Sequence, residues 1–136
     1  MIALMQGLHL TADLRGCASE LPAMHDPQAL RSLCLHGVAA AGLQTVGELF
    51  HRFPAPGGVT GVVLLAESHL AVHTWPELGA VTLDVYVCNL QTDNSSRAQA
   101  LLAALQTAFA PSGVEHHRVQ RGLAQHGMMR SARGAA

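Results

Sequence analysis

Three apolar runs, separated by turns too short to hold a helix, constrain the fold most. Val59 to Ala66 is almost entirely apolar and β-branched. Leu70 to Trp75 follows within a few residues, and Val81 to Val87 follows after the turn marked by Pro76 and Gly79. Runs of this kind read as strands, and strands joined by tight turns run antiparallel. Upstream, Gly7 to Leu14 alternates apolar and polar residues, the period of a half-buried strand. Asp26-Pro27 starts a helix in which Leu30, Leu33, Cys34, Gly37, Val38 and Ala41 recur at helical spacing, and Gly42 stops it. Leu43 to Phe53 reads as a further strand, closed by the turn Pro54-Ala55-Pro56-Gly57-Gly58. Asp93 to Ser96 offers N-caps for a second helix bearing Leu101, Leu102, Leu105 and Phe109 on one face, and Val114 to Val119 forms a last strand. The order predicts an α+β fold: a two-layer sandwich, mainly antiparallel sheet with helices packed on one face. A length of 136 residues suits a single domain, with a loose tail from about 122 to 136.

Composition removes several classes of function. The net charge is −1 and there is no basic stripe, so no nucleic-acid partner is expected. No apolar run is long enough to span a bilayer, so no membrane partner is expected. Met1 to Gln6 has no basic start, so no signal peptide is expected. Cys17, Cys34 and Cys88 are odd in number and far apart, which fits cytoplasmic thiols rather than disulfides. All eight basic residues are arginine. Without a lysine the chain cannot hold pyridoxal phosphate as a Schiff base, so no PLP is expected, and amine chemistry would need another electrophile. His116 and His117 are adjacent, hence on opposite faces of a strand, and no metal site is expected.

Reactive side chains concentrate at Glu67-Ser68-His69-Leu70-Ala71-Val72-His73-Thr74-Trp75-Pro76-Glu77. A hairpin here would turn the His73 imidazole back toward Ser68, with Cys88 ending the next strand. A serine hydrolase fits poorly, because there is no Gly-x-Ser-x-Gly elbow and Ser68 links strand to strand. An ordinary turn with a satisfied core histidine is one alternative. Self-processing is the other: the Ser68 hydroxyl attacks the Glu67 carbonyl, and elimination cuts the chain to leave a ketone on residue 68. That would supply an electrophile to a chain with no lysine.

Glu67-Ser68-His69-Leu70 followed by His73-Thr74-Trp75-Pro76-Glu77 resembles the processing segment of the prokaryotic S-adenosylmethionine decarboxylase proenzymes. Gly7-Leu8-His9-Leu10, Phe50-His51-Arg52-Phe53, Gly58-Val59-Thr60-Gly61-Val62-Val63 and Asp84-Val85-Tyr86-Val87-Cys88 extend the similarity over about residues 7 to 120. The resemblance implies cleavage between Glu67 and Ser68 into chains 1–67 and 68–136, with Ser68 becoming a covalent pyruvoyl group. It implies that His73 is the processing base, that Thr60 stands where a serine assists processing, and that Cys88 returns a proton to the substrate. It implies that Phe53 stacks on adenine and that Glu77 binds the ribose hydroxyls. Trp75, like Phe53, offers an aromatic face to the sulfonium cation. It also implies a homodimer with its active sites at the interface, acting in polyamine (spermidine) synthesis through a Schiff base to the substrate.

The chain departs from the family pattern at Asn89, where glycine is usual after the cysteine, and at Thr60, Leu78 and Ala18. Two other readings stay open. One is a pyruvoyl-dependent arginine or ornithine decarboxylase. The other is an uncleaved, non-catalytic binding or regulatory homologue.

Overall fold

The computed structural model describes residues 6–122. The first five residues and the expected tail from residue 123 onward lie outside the described residues. Ten short elements follow one another: β1 (Gly7–Arg15), α1 (Pro22–His25), α2 (Pro27–Ala40), β2 (Thr45–Arg52), β3 (Val59–Leu65), β4 (Ser68–Trp75), a 3₁₀ turn (Pro76–Leu78), β5 (Ala80–Cys88), α3 (Ser95–Phe109) and β6 (Gly113–Arg121). The strands form one six-stranded sheet in the order β2-β3-β4-β5-β1-β6, and every neighbouring pair is antiparallel.

Local chemistry sets the element ends. The Asp26 carboxylate accepts the Gln28 N–H at 3.0 Å, capping α2 as its sequence signals. Gly42, at φ +81°, ends the same helix in a Schellman motif, with its N–H on the Ala39 carbonyl and the Leu43 N–H on that of Val38. The α3 cap is less regular: Asn94 occupies the cap position, and the Asp93 carboxylate accepts the Ser95 N–H at 2.9 Å.

Period-2 alternation sorts the sheet into two faces. Leu8, Leu10, Ala12 and Leu14 of β1, Leu70 and Val72 of β4, and Val81, Leu83, Val85 and Val87 of β5 are buried against Leu30, Cys34 and Val38 of α2 and Leu101, Leu105 and Phe109 of α3. Thr74 shares this apolar face. Its hydroxyl donates to the Met24 carbonyl at 2.6 Å and accepts the Val59 N–H at 2.9 Å, which ties α1 to the sheet and leaves no unpaired polar atom there. The Phe50 ring lies over Gly61, where a Cβ would come within 2.1 Å of it, so the β2–β3 approach needs glycine at 61.

Among the described residues, no helix covers the opposite face. Across it lie His9, Thr11 and Asp13 of β1, Thr60, Val62 and Leu64 of β3, His69, Ala71 and His73 of β4, and Thr82, Asp84, Tyr86 and Cys88 of β5. Leu49 and Leu64 are 70% and 49% exposed there. Among the described residues no helix is long and apolar enough to cross a membrane.

Candidate active site

The strand register divides the candidate residues between two ends of the sheet. At one end, cross-strand pairs connect His51 to Thr60, Thr60 to His73 and His73 to Thr82. Thr60 Oγ1 lies 3.0 Å from His73 Nδ1, and the imidazole stacks on Trp75 with ring centroids 6.0 Å apart. The chain turns at Pro54–Gly58, and Gly58 lies so close to the Thr74 carbonyl oxygen that a Cβ would come within 2.7 Å of it. That turn sets Phe53 beside the pair, with His51 edge-on to its ring at 4.7 Å. A cleft of about 380 Å³ is lined here by Phe53, Thr60, His73, Trp75 and Glu77, together with the turn residues. Glu77 is its one charged side chain.

At the other end, Ala66 and Glu67 form the two-residue turn between β3 and β4, flanked by the pair Leu65↔Ser68. Glu67 has φ +61° and is, with Ala110, one of the two non-glycine residues at positive φ among the described residues. Such a conformation costs a non-glycine residue about 1–2 kcal/mol. The Ser68 hydroxyl donates to the Ala66 carbonyl at 3.1 Å. Cys88 is half-buried and pairs with Gly7. Two residues beyond the last β4–β5 pair, His69↔Tyr86, lie Glu67 on one strand and Cys88 on the other, so Cys88 ends beside the Glu67-Ser68 bond.

The hairpin therefore does not bring His73 toward Ser68. Both lie on β4, five residues apart, about 17 Å along a strand. The odd offset puts them on opposite parities: Ser68 has that of buried Leu70, His73 that of the open face. Within one chain Ser68 and Cys88 share an end, while His73 and Thr60 share the other with Phe53, Trp75 and Glu77.

A titratable cluster sits between the ends. His9 Nε2 is 3.4 Å from Asp84 Oδ2 without a hydrogen bond, and Arg121 Nη1 lies 3.3 Å from His9 Nδ1. The Arg121 guanidinium also stands 5.3 Å above the Tyr86 ring, which His9 and His69 flank. Burial, then the positive charge of His9, holds the His69 imidazole below its ordinary value; Asp84 acts in the opposite direction and Arg121 in the same one. Burial pushes the Cys34 thiol up to about 12 and raises Cys17, so both are poor nucleophiles inside the core.

A larger groove of about 520 Å³ lies on the helix side between α3, β1 and β6, but it contains none of the candidate residues. His116, on that side, contacts Gln106 at 2.8 Å, while His117 faces the other way toward Glu115 at 3.1 Å. Among the described residues no three His, Cys, Asp or Glu side chains are grouped as metal ligands would be. The sequence reading missed the Thr74 clamp and a hydrogen-bonded loop after Cys88 built by Asn89 and Asn94. Departure of Asn89 from the usual glycine was the one signal of the latter.

Comparison with known proteins shows the family. The S-adenosylmethionine decarboxylase family profile matches residues 8–122. An S-adenosylmethionine decarboxylase proenzyme of Archaeoglobus fulgidus is 37% identical over 116 residues, which cover 85% of this chain and 97% of that protein. The crystal structure of the adenosylmethionine decarboxylase from Aquifex aeolicus superposes with a TM-score of 0.78 at 33% identity, covering 89% of this chain and 94% of that one. A Trypanosoma brucei AdoMetDC monomer, 12% identical with a TM-score of 0.53, shares the fold over 80% of this chain and 44% of its own. Matched over almost all of its described length, the chain belongs to the S-adenosylmethionine decarboxylase family, whose members are carboxy-lyases made as proenzymes.

Proposed function

We propose that this chain is a self-processing, pyruvoyl-dependent S-adenosylmethionine decarboxylase acting as a cytoplasmic homodimer and supplying polyamine synthesis. The observation that carries this reading is the separation of the expected machinery between the two ends of one sheet, along a face that no described helix covers. Two such faces stacked about 10 Å apart, as sheets pack in a sandwich, would bury Leu49 and Leu64. A two-fold operation that exchanges strand ends lays Ser68 and Cys88 of one protomer over Thr60, His73, Phe53, Trp75 and Glu77 of its partner, and forms two equal sites.

The residues fit the formation of a pyruvoyl group. Ser68 follows a turn residue at φ +61°, and its hydroxyl donates to the Ala66 carbonyl, one residue before the carbonyl it must attack. Attack of Oγ on the Glu67 carbonyl carbon replaces the amide by an ester and frees the Ser68 nitrogen. In the tautomer whose Nδ1–H donates to Thr60, the imidazole of a partner chain offers its Nε2 lone pair to the Ser68 α-proton. Elimination then releases Glu67 as a carboxylate, and water replaces the nitrogen on residue 68 as ammonia leaves. The resulting group supplies an electrophilic carbonyl for the substrate amine and a sink for the electrons left when carbon dioxide departs.

The chain's own side chains do the rest. Phe53 and Trp75 offer aromatic faces to adenine and to the sulfonium, an attraction of up to ~2 kcal/mol when water is excluded. Glu77 accepts hydrogen bonds from the ribose hydroxyls. Cys88 gives its thiol proton to the substrate carbon that has lost the carboxylate. With a single carboxylate, the cleft suits a nucleoside better than the guanidinium of arginine or the second ammonium of ornithine.

Intact mass spectrometry, before and after borohydride with S-adenosylmethionine, arginine or ornithine, tests the reading. Two fragments split at Glu67-Ser68 are expected, the second blocked at its start and trapping S-adenosylmethionine, with carbon dioxide released from that substrate in turnover. Turnover of arginine or ornithine alone would overturn the substrate. A chain that stays whole would overturn the enzyme and favour a binding homologue.

A further inference from the structure

Cys88 stands at a frayed corner of the sheet. The β4–β5 pairing stops at His69↔Tyr86, short of Cys88. That carbonyl instead accepts the Asn94 side-chain N–H at 2.9 Å. Asn94 is itself held: its backbone N–H donates to Asn89 Oδ1 at 2.7 Å, and its Oδ1 accepts from Arg97 at 2.8 Å. The Asn89 side-chain N–H donates to the Ser95 hydroxyl at 3.1 Å, and its backbone N–H to the Gln6 carbonyl at 2.8 Å. A glycine at 89 would leave out two of these bonds.

We infer that Asn89 and Asn94 are positioning residues that clasp the end of β5 to the start of α3 and thereby fix the Cys88 thiol for its proton transfer. The inference rests on the proposed role of Cys88. In that step the thiol S–H bond breaks and a C–H bond forms at the decarboxylated substrate carbon, leaving a thiolate that solvent reprotonates. The transfer needs the sulfur within hydrogen-bond reach of one carbon. A strand end released by about one residue moves the sulfur further than that tolerance allows.

The test compares Asn94→Ala, Asn94→Asp, Asn89→Ala and Asn89→Asp in the full chain, with Cys88→Ala as a control. Aspartate at 94 cannot donate to the Cys88 carbonyl, whereas aspartate at 89 still accepts the Asn94 N–H. We expect all four to cut completely at Ser68. We expect kcat to fall about tenfold at unchanged KM in Asn94→Ala, Asn94→Asp and Asn89→Ala, as the loss of one part-buried hydrogen bond implies, and to stay within twofold in Asn89→Asp. In a Ser68→Ala background, which needs no pyruvoyl group, the rate of Cys88 alkylation by iodoacetamide should change several-fold in the same three variants and not in Asn89→Asp. Unchanged kcat and alkylation in Asn94→Ala, or equal damage from Asn89→Ala and Asn89→Asp, would overturn the clasp while leaving the decarboxylase reading intact. A cleaved Cys88→Ala enzyme with undiminished kcat would overturn the clasp together with the role of the thiol.

Discussion

The two faces of the sheet are made by the same strands and do different work. On the helix-covered face, alternate residues such as Leu70, Val72, Leu83 and Val85 are fully buried and interchangeable in kind: each contributes apolar area and shape. On the open face the intervening residues, His69, His73, Asp84, Tyr86 and Cys88, are polar or reactive, and each has a particular neighbour. One parity carries stability; the other, with Ser68 at its strand end, carries the proposed chemistry and the surface proposed to receive a second chain. A substitution should therefore reveal its face by whether it lowers the melting temperature or the activity.

The largest expected effect is on activity alone. Ser68→Ala should abolish cleavage and turnover, measured by gel and by carbon dioxide release, with a melting temperature close to wild type. The counterpart on the covered face is Leu83→Ala, which should cost about 2–5 kcal/mol in denaturant unfolding through lost burial and a cavity. Equal loss of stability in both would break the division of labour.

Next comes Glu77→Ala. Loss of charged hydrogen bonds to a ribose, about 1.5–3 kcal/mol, should raise KM for S-adenosylmethionine by roughly ten- to a hundredfold with little change in kcat. A fall in kcat alone would move Glu77 from binding to chemistry.

The smallest effect is a pH slope. Because the folded chain holds the His69 proton less tightly than the unfolded chain, protonation favours unfolding. Stability is full above the ordinary imidazole value of about 6.5 and declines as pH falls below it. His69→Gln should flatten that decline in thermal melts between pH 5 and about 7. A slope unchanged by the substitution would show that another group carries it.

Much of this organisation is legible in the sequence. The alternation in Gly7 to Leu14, the apolar runs at 59, 70 and 81, and the Asp26 and Gly42 signals locate strands and helix ends because each is a local effect. Helix α1 is one turn long, too short for any periodicity, and emerges only because Met24 packs into the core. The motifs around Ser68, His73 and Cys88 point to the family. Their mutual placement depends on register, and register is a property of strand pairs. Five residues along one strand is an odd offset, so His73 faces away from Ser68. The Asn89–Asn94 clasp joins a strand end to a helix start through side chains, and no spacing rule announces it.

The central claim is that each site draws on both ends of the sheet, one from each protomer. Coexpression of two differently tagged, individually dead chains, Ser68→Ala and His73→Ala, tests it most directly. In a mixed dimer one site has lost both residues, and the other combines the intact Ser68 of the His73→Ala chain with the intact His73 of its partner. The account predicts that the His73→Ala chain is cut at Glu67-Ser68 when the Ser68→Ala chain is present and stays whole when expressed alone. If tagged heterodimers form and neither chain is cut, the site is built within a single chain and the account is wrong.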